Sequence, residues 1–138
     1  CTYPAIFYGG IKGISNYSLD EVDTGGKWIN GKPIYCKTVH KIGTTYTHQS
    51  SVRTITIASG IENIDAVVDI HGVAKFSSTS LNTMPLPFVS PNGAAYDCSL
   101  YLGTDGNITV QLGTSRDIYS PVMTFYYTKT TDPATITI

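Results

Sequence analysis

Apolar and polar side chains alternate with a period of two along much of the chain. Tyr96, Cys98, Leu100 and Leu102 alternate with Asp97, Ser99 and Tyr101; beyond GTDGN, Ile108, Val110 and Leu112 alternate with Thr109 and Gln111. Successive side chains of a strand point to opposite faces, so these two runs predict a hairpin with one buried face. Ile64, Ala66, Val68 and Ile70 alternate in the same way with Asp65, Val67, Asp69 and His71. IYCKTVHKI (34–42), VRTITIA (52–58) and PVMTFYYT (121–128) are further strands, with Ile55 and Ile57 on one face, and TDPATITI (131–138) is a short final one. GTTYTHQSS (43–51) is a polar loop. SSTSLNTMPLPFVSPNGA (77–94) carries three prolines, which cannot donate to a ladder, and is expected to touch a sheet edge at most.

Turn chemistry separates the strands. In KWINGKPIY (27–35), Asn30-Gly31 tolerates positive φ and marks a tight reversal, Pro33 biases Lys32 toward an extended conformation, and Trp28 covers the turn. The one helix signal is Ser18-Leu19-Asp20-Glu21, which has the spacing of a capping box; Gly25 and Gly26 limit it to a short helical turn. With six or seven strands and no amphipathic helix long enough for a crossover, the pattern predicts one all-β domain over 18–138, an antiparallel sandwich or jelly roll. Residues 1–17 are expected to form an extended arm rich in glycine and aromatics.

Composition sharpens this reading. The 138 residues carry a formal net charge of -1 with only 14% charged side chains, and 19 Thr, 12 Ser and 10 Tyr supply the polarity instead. Hydroxyl, aromatic and β-branched residues suit a pleated, half-buried surface. Without a basic stripe there is little to hold a phosphate backbone, so no nucleic-acid partner is expected. No apolar run approaches the ~20 residues of a membrane span, so no membrane insertion is expected either. The chain shows no signal-peptide pattern and opens without Met, which predicts a piece of a longer protein folded in a cytoplasm. Cys1, Cys36 and Cys98 have no framework spacing; buried free thiols are expected, the alternative being one disulfide and a leftover thiol.

Candidate chemistry is sparse. Cys36 and His40 lie four apart on a strand, roughly 13 Å, too far for a dyad, and Asp65 and Asp69 fail as a carboxylate pair for the same reason. Three His and three Cys show no metal-ligand spacing, so no metal or cofactor is implied. No phosphate-cradling loop, HExxH or nucleophile elbow is present. The sequons at Asn16 and Asn107 are read as coincidental. What the chain does offer is aromatics beside amides and hydroxyls, the combination that packs on sugar C–H faces and bonds sugar hydroxyls. Tyr46, His48 and Gln49 on the 43–51 loop are the candidate ligand-binding residues, with Tyr3, Phe7 and Tyr8 in the arm as further candidates.

Three blocks carry a resemblance: YSLDEVDTGGKWINGKPIYCKTV (17–39), GIENIDAVVDIHGVA (60–74) and PVMTFYYTKTTD (121–132). Together, and in this order, they resemble a module at the C-terminal ends of bacteriophage tail-fibre and minor structural proteins. The resemblance implies a virion part: a homotrimeric β-module at a fibre or spike tip that contacts other virion proteins and binds a bacterial surface carbohydrate or protein. It transfers no catalytic residue. Cys36 stands where a basic or polar residue is common, and PLPFVSPNGAAYDC has no counterpart. Two other functions compete with receptor binding. One is a purely structural head-fibre, baseplate or decoration module; the other, more distant, is a polysaccharide depolymerase.

Overall fold

The computed structural model describes residues 17–138. The arm expected over 1–17 therefore lies outside the described residues except for Tyr17, as do Cys1, Tyr3, Phe7, Tyr8 and the Asn16 position. The described chain is all β, with nine strands: β1 Val22–Lys27, β2 Pro33–His40, β3 Thr45–Tyr46, β4 Arg53–Ala58, β5 Ile64–Lys75, β6 Thr83–Leu86, β7 Cys98–Leu102, β8 Asn107–Leu112 and β9 Ile118–Lys129. Every pairing is antiparallel. The larger sheet has the order β1-β2-β9-β5-β6, with β3 against the start of β9; the smaller is β4-β8-β7. Ile55, Ile57, Leu100, Ile108 and Val110 from the smaller sheet meet Ala74, Met84, Met123, Phe125 and Tyr127 from the larger in one core. This is the expected antiparallel sandwich.

The β7–β8 hairpin follows its alternation strictly. Cys98, Leu100 and Leu102 oppose Leu112, Val110 and Ile108, and all six are buried. β9 is the spine of the larger sheet. It pairs with β2 on one side and with β5 on the other, and its Met123, Phe125 and Tyr127 are fully buried in the core. Val122, Thr124 and Tyr126 face the opposite way. The connection over 77–94 does reach a sheet edge, as the short β6 on β5, with Met84 and Leu86 turned inward. Arg116 ties the rest of that connection down. Its Nε–H donates to the Tyr96 carbonyl at 2.7 Å, and its guanidinium lies 5.1 Å from the Phe76 ring centroid and 5.2 Å from that of Phe88. Aromatic faces stabilise a cation withdrawn from water.

The Trp28–Pro33 stretch forms the β1–β2 turn. Gly31 N–H donates to the Trp28 carbonyl and Trp28 N–H to the Lys32 carbonyl, both at 2.9 Å. Gly31 alone takes positive φ, +84°, while Asn30 keeps negative φ and its Oδ1 accepts from Lys32 N–H. The loop is thus the three-residue kind closed by a left-handed glycine. Trp28 is half-buried over it and Pro33 opens β2. The 131–138 segment forms no strand. Instead Thr135 and Ile136 N–H both donate to the Asn30 carbonyl at 3.0 Å, packing the tail on this turn.

Ser18–Glu21 is not a helical cap. Ser18 Oγ accepts from Asp20 N–H, a local turn, and the chain runs directly into β1. Glu21 is held by partners far along the sequence. The Tyr127 hydroxyl donates to it at 2.7 Å, and Lys129 Nζ reaches both of its oxygens at 2.9 Å. Beside this contact Tyr35 stacks on Tyr127 and its hydroxyl donates to Asp132, while Lys32 pairs with Asp65 at 2.7 Å. These charge-assisted bonds clasp one end of the larger sheet and outweigh the weak local helix signal. The short helical turn sits at Ala94–Tyr96, a single turn of 3-10 helix.

β5 also departs from its expected alternation. Its pairing with β9 shifts register three times: between Ile64–Lys129 and Val67–Tyr127, between Val67–Tyr127 and Asp69–Tyr126, and between Val73–Val122 and Lys75–Tyr119. Each of the first two inserts an extra β5 residue and turns the residues beyond it to the other face, while the third places the extra residue on β9. Val67 therefore packs against the core where Val68 was expected, and Val68 turns outward beside Asp69 and His71. Cys36 and Cys98 are both buried free thiols, as expected.

Two substitutions test this architecture. Gly31→Val is expected to lower the melting temperature sharply and cut folding yield. Positive φ costs a branched residue about 1–3 kcal/mol, and the new Cβ would overlap Thr135 Oγ1. A wild-type melt would contradict the turn. Phe125→Ala, at a position with no solvent exposure, is expected to cost about 3–5 kcal/mol in denaturant unfolding.

Candidate functional site

The outward face of the larger sheet is poor in charge where β2, β9 and β5 lie side by side. β2 contributes Ile34, Cys36 and Thr38, β9 contributes Val122, Thr124 and Tyr126, and β5 contributes Val68, Asp69, His71 and Val73. A solvated sheet face ordinarily alternates in charged residues. Here Thr38 and Thr124 are buried and bond each other through their hydroxyls at 2.9 Å. Tyr126 lies opposite Cys36 across the ladder.

An open groove of about 760 Å³ crosses this face. Ile34, Val68 and Tyr126 supply its apolar surface, Asp69, His71 and Thr24 its polar groups, and the backbone of Gly25 and Gly26 on β1 one rim. Its size is that of sites that take small ligands or a few sugar units. A second hollow of about 150 Å³ adjoins it at His71 and runs over Gly72, Val73 and Val122 to Tyr17. At Gly72 the two strands approach so closely that a Cβ would lie 2.6 Å from the Val122 carbonyl oxygen.

His71 is the joint between the two hollows. Its ring lies 6.2 Å from that of Tyr17, nearly edge-on, and 5.9 Å from that of Tyr126. Asp69 holds it through Nδ1 at 3.0 Å. A carboxylate only accepts, so Nδ1 carries the proton and, in the neutral ring, Nε2 is an acceptor. Burial and contact with the Cys36 thiol push Tyr126 up to about 12, so its hydroxyl stays protonated across the physiological range. Thr24 Oγ1 is committed to the Ile34 carbonyl at 2.8 Å. Among the described residues no three His, Cys, Asp or Glu side chains converge as a metal site would require. The arrangement offers a preformed shape, aromatic edges and hydrogen-bond acceptors.

The residues singled out from sequence lie elsewhere. Tyr46 pairs with Ile118 at the start of β9, is half-buried against the core, and has the Arg53 guanidinium 6.0 Å from its ring centroid. His48 is pinned to Asp117, whose Oδ1 accepts from the backbone N–H and contacts ring Nδ1, both at 2.7 Å. Burial would raise the Asp117 carboxyl, but these His48 bonds outweigh it and hold it below the usual carboxylate range. Gln49 is exposed. The three share one anchored loop, and none lines the groove. Sequence reasoning missed Val68, Tyr126, Ile34 and the Asp69–His71 pair because three strands, β5, β9 and β2, bring them together. The one local trace was the Asp69-x-His71 spacing, which puts both on one face of β5.

Alkaline titration tests the environment of this face. Tyr126 is raised by burial, Tyr35, to about 12, by its bond to Asp132, and Tyr127 by burial and Glu21. A raised tyrosine binds its proton more tightly folded than unfolded. Its stabilisation is therefore complete below about pH 10 and is lost as pH rises through the folded value. Denaturant midpoints are expected to hold from neutrality to about pH 10 and fall above it, less steeply in Tyr126→Phe. Tyrosine absorbance titrating at the ordinary value in the folded protein would contradict this. Comparison with family models, curated proteins and solved structures finds no match for the chain.

Proposed function

We propose that the chain is a structural module of a bacteriophage virion, the receptor-binding tip of a tail fibre or spike, which attaches to a bacterial surface glycan or protein. The carrying observation is the groove on the larger sheet, a preformed, charge-poor surface lined by Tyr126, Asp69 and His71, with the smaller hollow beside it running from His71 to Tyr17. Aromatic edges beside a few fixed polar groups suit sugars and peptides alike. The three sequence blocks that resemble tail-fibre termini supply the biological setting.

A fibre tip works as several copies around an axis, and the module is proposed to be a homotrimer. Ile29, Ile42, Val52, Leu81 and Val89 all stand well exposed, Val89 at 82%. A trimer interface would cover those of them that lie together on one face. Three weak sites on one trimer would give firm attachment by avidity.

Labelled protein applied to permissive host cells is expected to adhere saturably, and unlabelled protein to displace it. Analytical ultracentrifugation at micromolar concentration is expected to give three times the 14.9 kDa chain mass. Failure to adhere to any permissive host would remove the receptor-binding reading, and a monodisperse monomer would remove the trimer.

A further inference from the structure

We infer that the groove selects a sugar that donates hydrogen bonds and bears an amine, a glycan containing free hexosamine, and rejects acidic glycans. This rests on the receptor-binding reading for its setting, but its argument is the chemistry of the lining. Among the described residues no lysine or arginine lines the groove. The one formal charge among those residues is the Asp69 carboxylate, whose side chain is 56% exposed and free to meet a ligand. One Asp69 oxygen engages His71 Nδ1, which leaves the other as an acceptor and makes His71 Nε2 a second one.

The side-chain donors among the described lining residues are already engaged. Thr24 Oγ1 donates to the Ile34 carbonyl and Tyr126 is in contact with the Cys36 thiol. A ligand must therefore bring the protons. Sugar hydroxyls can supply them, and an ammonium supplies them with a charge that Asp69 attracts. The carboxylate of a uronic acid, like a sulfate or phosphate group, adds only acceptors and a charge of the same sign as Asp69, with no cation among the described lining residues to offset it. Ile34, Val68 and Tyr126 meanwhile offer apolar contact to the C–H face of the ring.

The test uses the full chain, labelled with nitrogen-15, and three soluble probes: a β-linked glucosamine tetramer, its fully N-acetylated counterpart, and tetragalacturonate. The glucosamine tetramer is expected to shift the amide signals of Val68–Gly72 and Tyr126, and to bind roughly fivefold more tightly than the acetylated tetramer. Tetragalacturonate is expected to leave those signals in place. Asp69→Asn, at an exposed side chain, is expected to keep the wild-type melt and to bring the two tetramers to equal affinity. Tighter binding of the uronate, an amine preference that survives Asp69→Asn, or silence of the groove signals with all three probes would overturn the inference. Host adhesion without any response to the probes would sink this inference and leave receptor binding standing. Amine-selective binding in the groove without host adhesion would do the reverse.

Discussion

The structure depends on one strand meeting two demands at once. β9 runs through the middle of the larger sheet with ladders on both sides, so neither its register nor its facing can change alone. One row of its side chains, Met123, Phe125 and Tyr127, closes the core; the other gives Tyr126 to the groove and Val122 and Thr124 to the hollow beside it. A slip of one residue would exchange the two rows. The hydrophobic cost of that exchange, about 1.5–3 kcal/mol for each large side chain, fixes the groove floor as firmly as the core.

The clasp at the far end of β9 completes that constraint. Glu21 receives Tyr127 and Lys129, Asp65 receives Lys32 and Thr128, and Asp132 receives Tyr35. Three of the chain's ten acids are thus spent on joining β1, β2, β5, β9 and the tail. Lys32 keeps the Asp65 carboxyl below its usual range, which ties this end of the sheet to the ionised form of the acid. These bonds fix that end of the sheet, and a ligand surface on it, as proposed above, would need little ordering on binding.

Legibility in the sequence tracked the range of the interaction that decides each element. The β7–β8 hairpin was readable because its alternation and its turn are adjacent in the chain. The Trp28–Pro33 turn was readable because Gly31 requires positive φ locally. Ser18–Glu21 was misread because the capping spacing is local while the partners of Glu21 lie 106 and 108 residues away. Val67 and Val68 exchanged faces because bulges are set by the partner strand, and no periodicity within β5 reports them. The groove was missed for the same reason: β1, β2, β5 and β9 each give it one to three residues. The 43–51 loop stood out on composition, yet Asp117, Arg53 and the core hold two of its three candidate residues in structural contacts.

On the proposed receptor-binding reading two surfaces compete, the groove on the larger sheet and the polar loop that holds Gln49. Host-cell adhesion of Val68→Lys against Gln49→Lys separates them, with melting temperature measured on both. Val68→Lys puts a long charged chain into the groove from an outward bulge position, and Gln49→Lys does the same on the exposed loop. The account expects Val68→Lys to abolish adhesion at an unchanged melting temperature and Gln49→Lys to adhere as wild type. Adhesion that survives Val68→Lys and is lost in Gln49→Lys would contradict it.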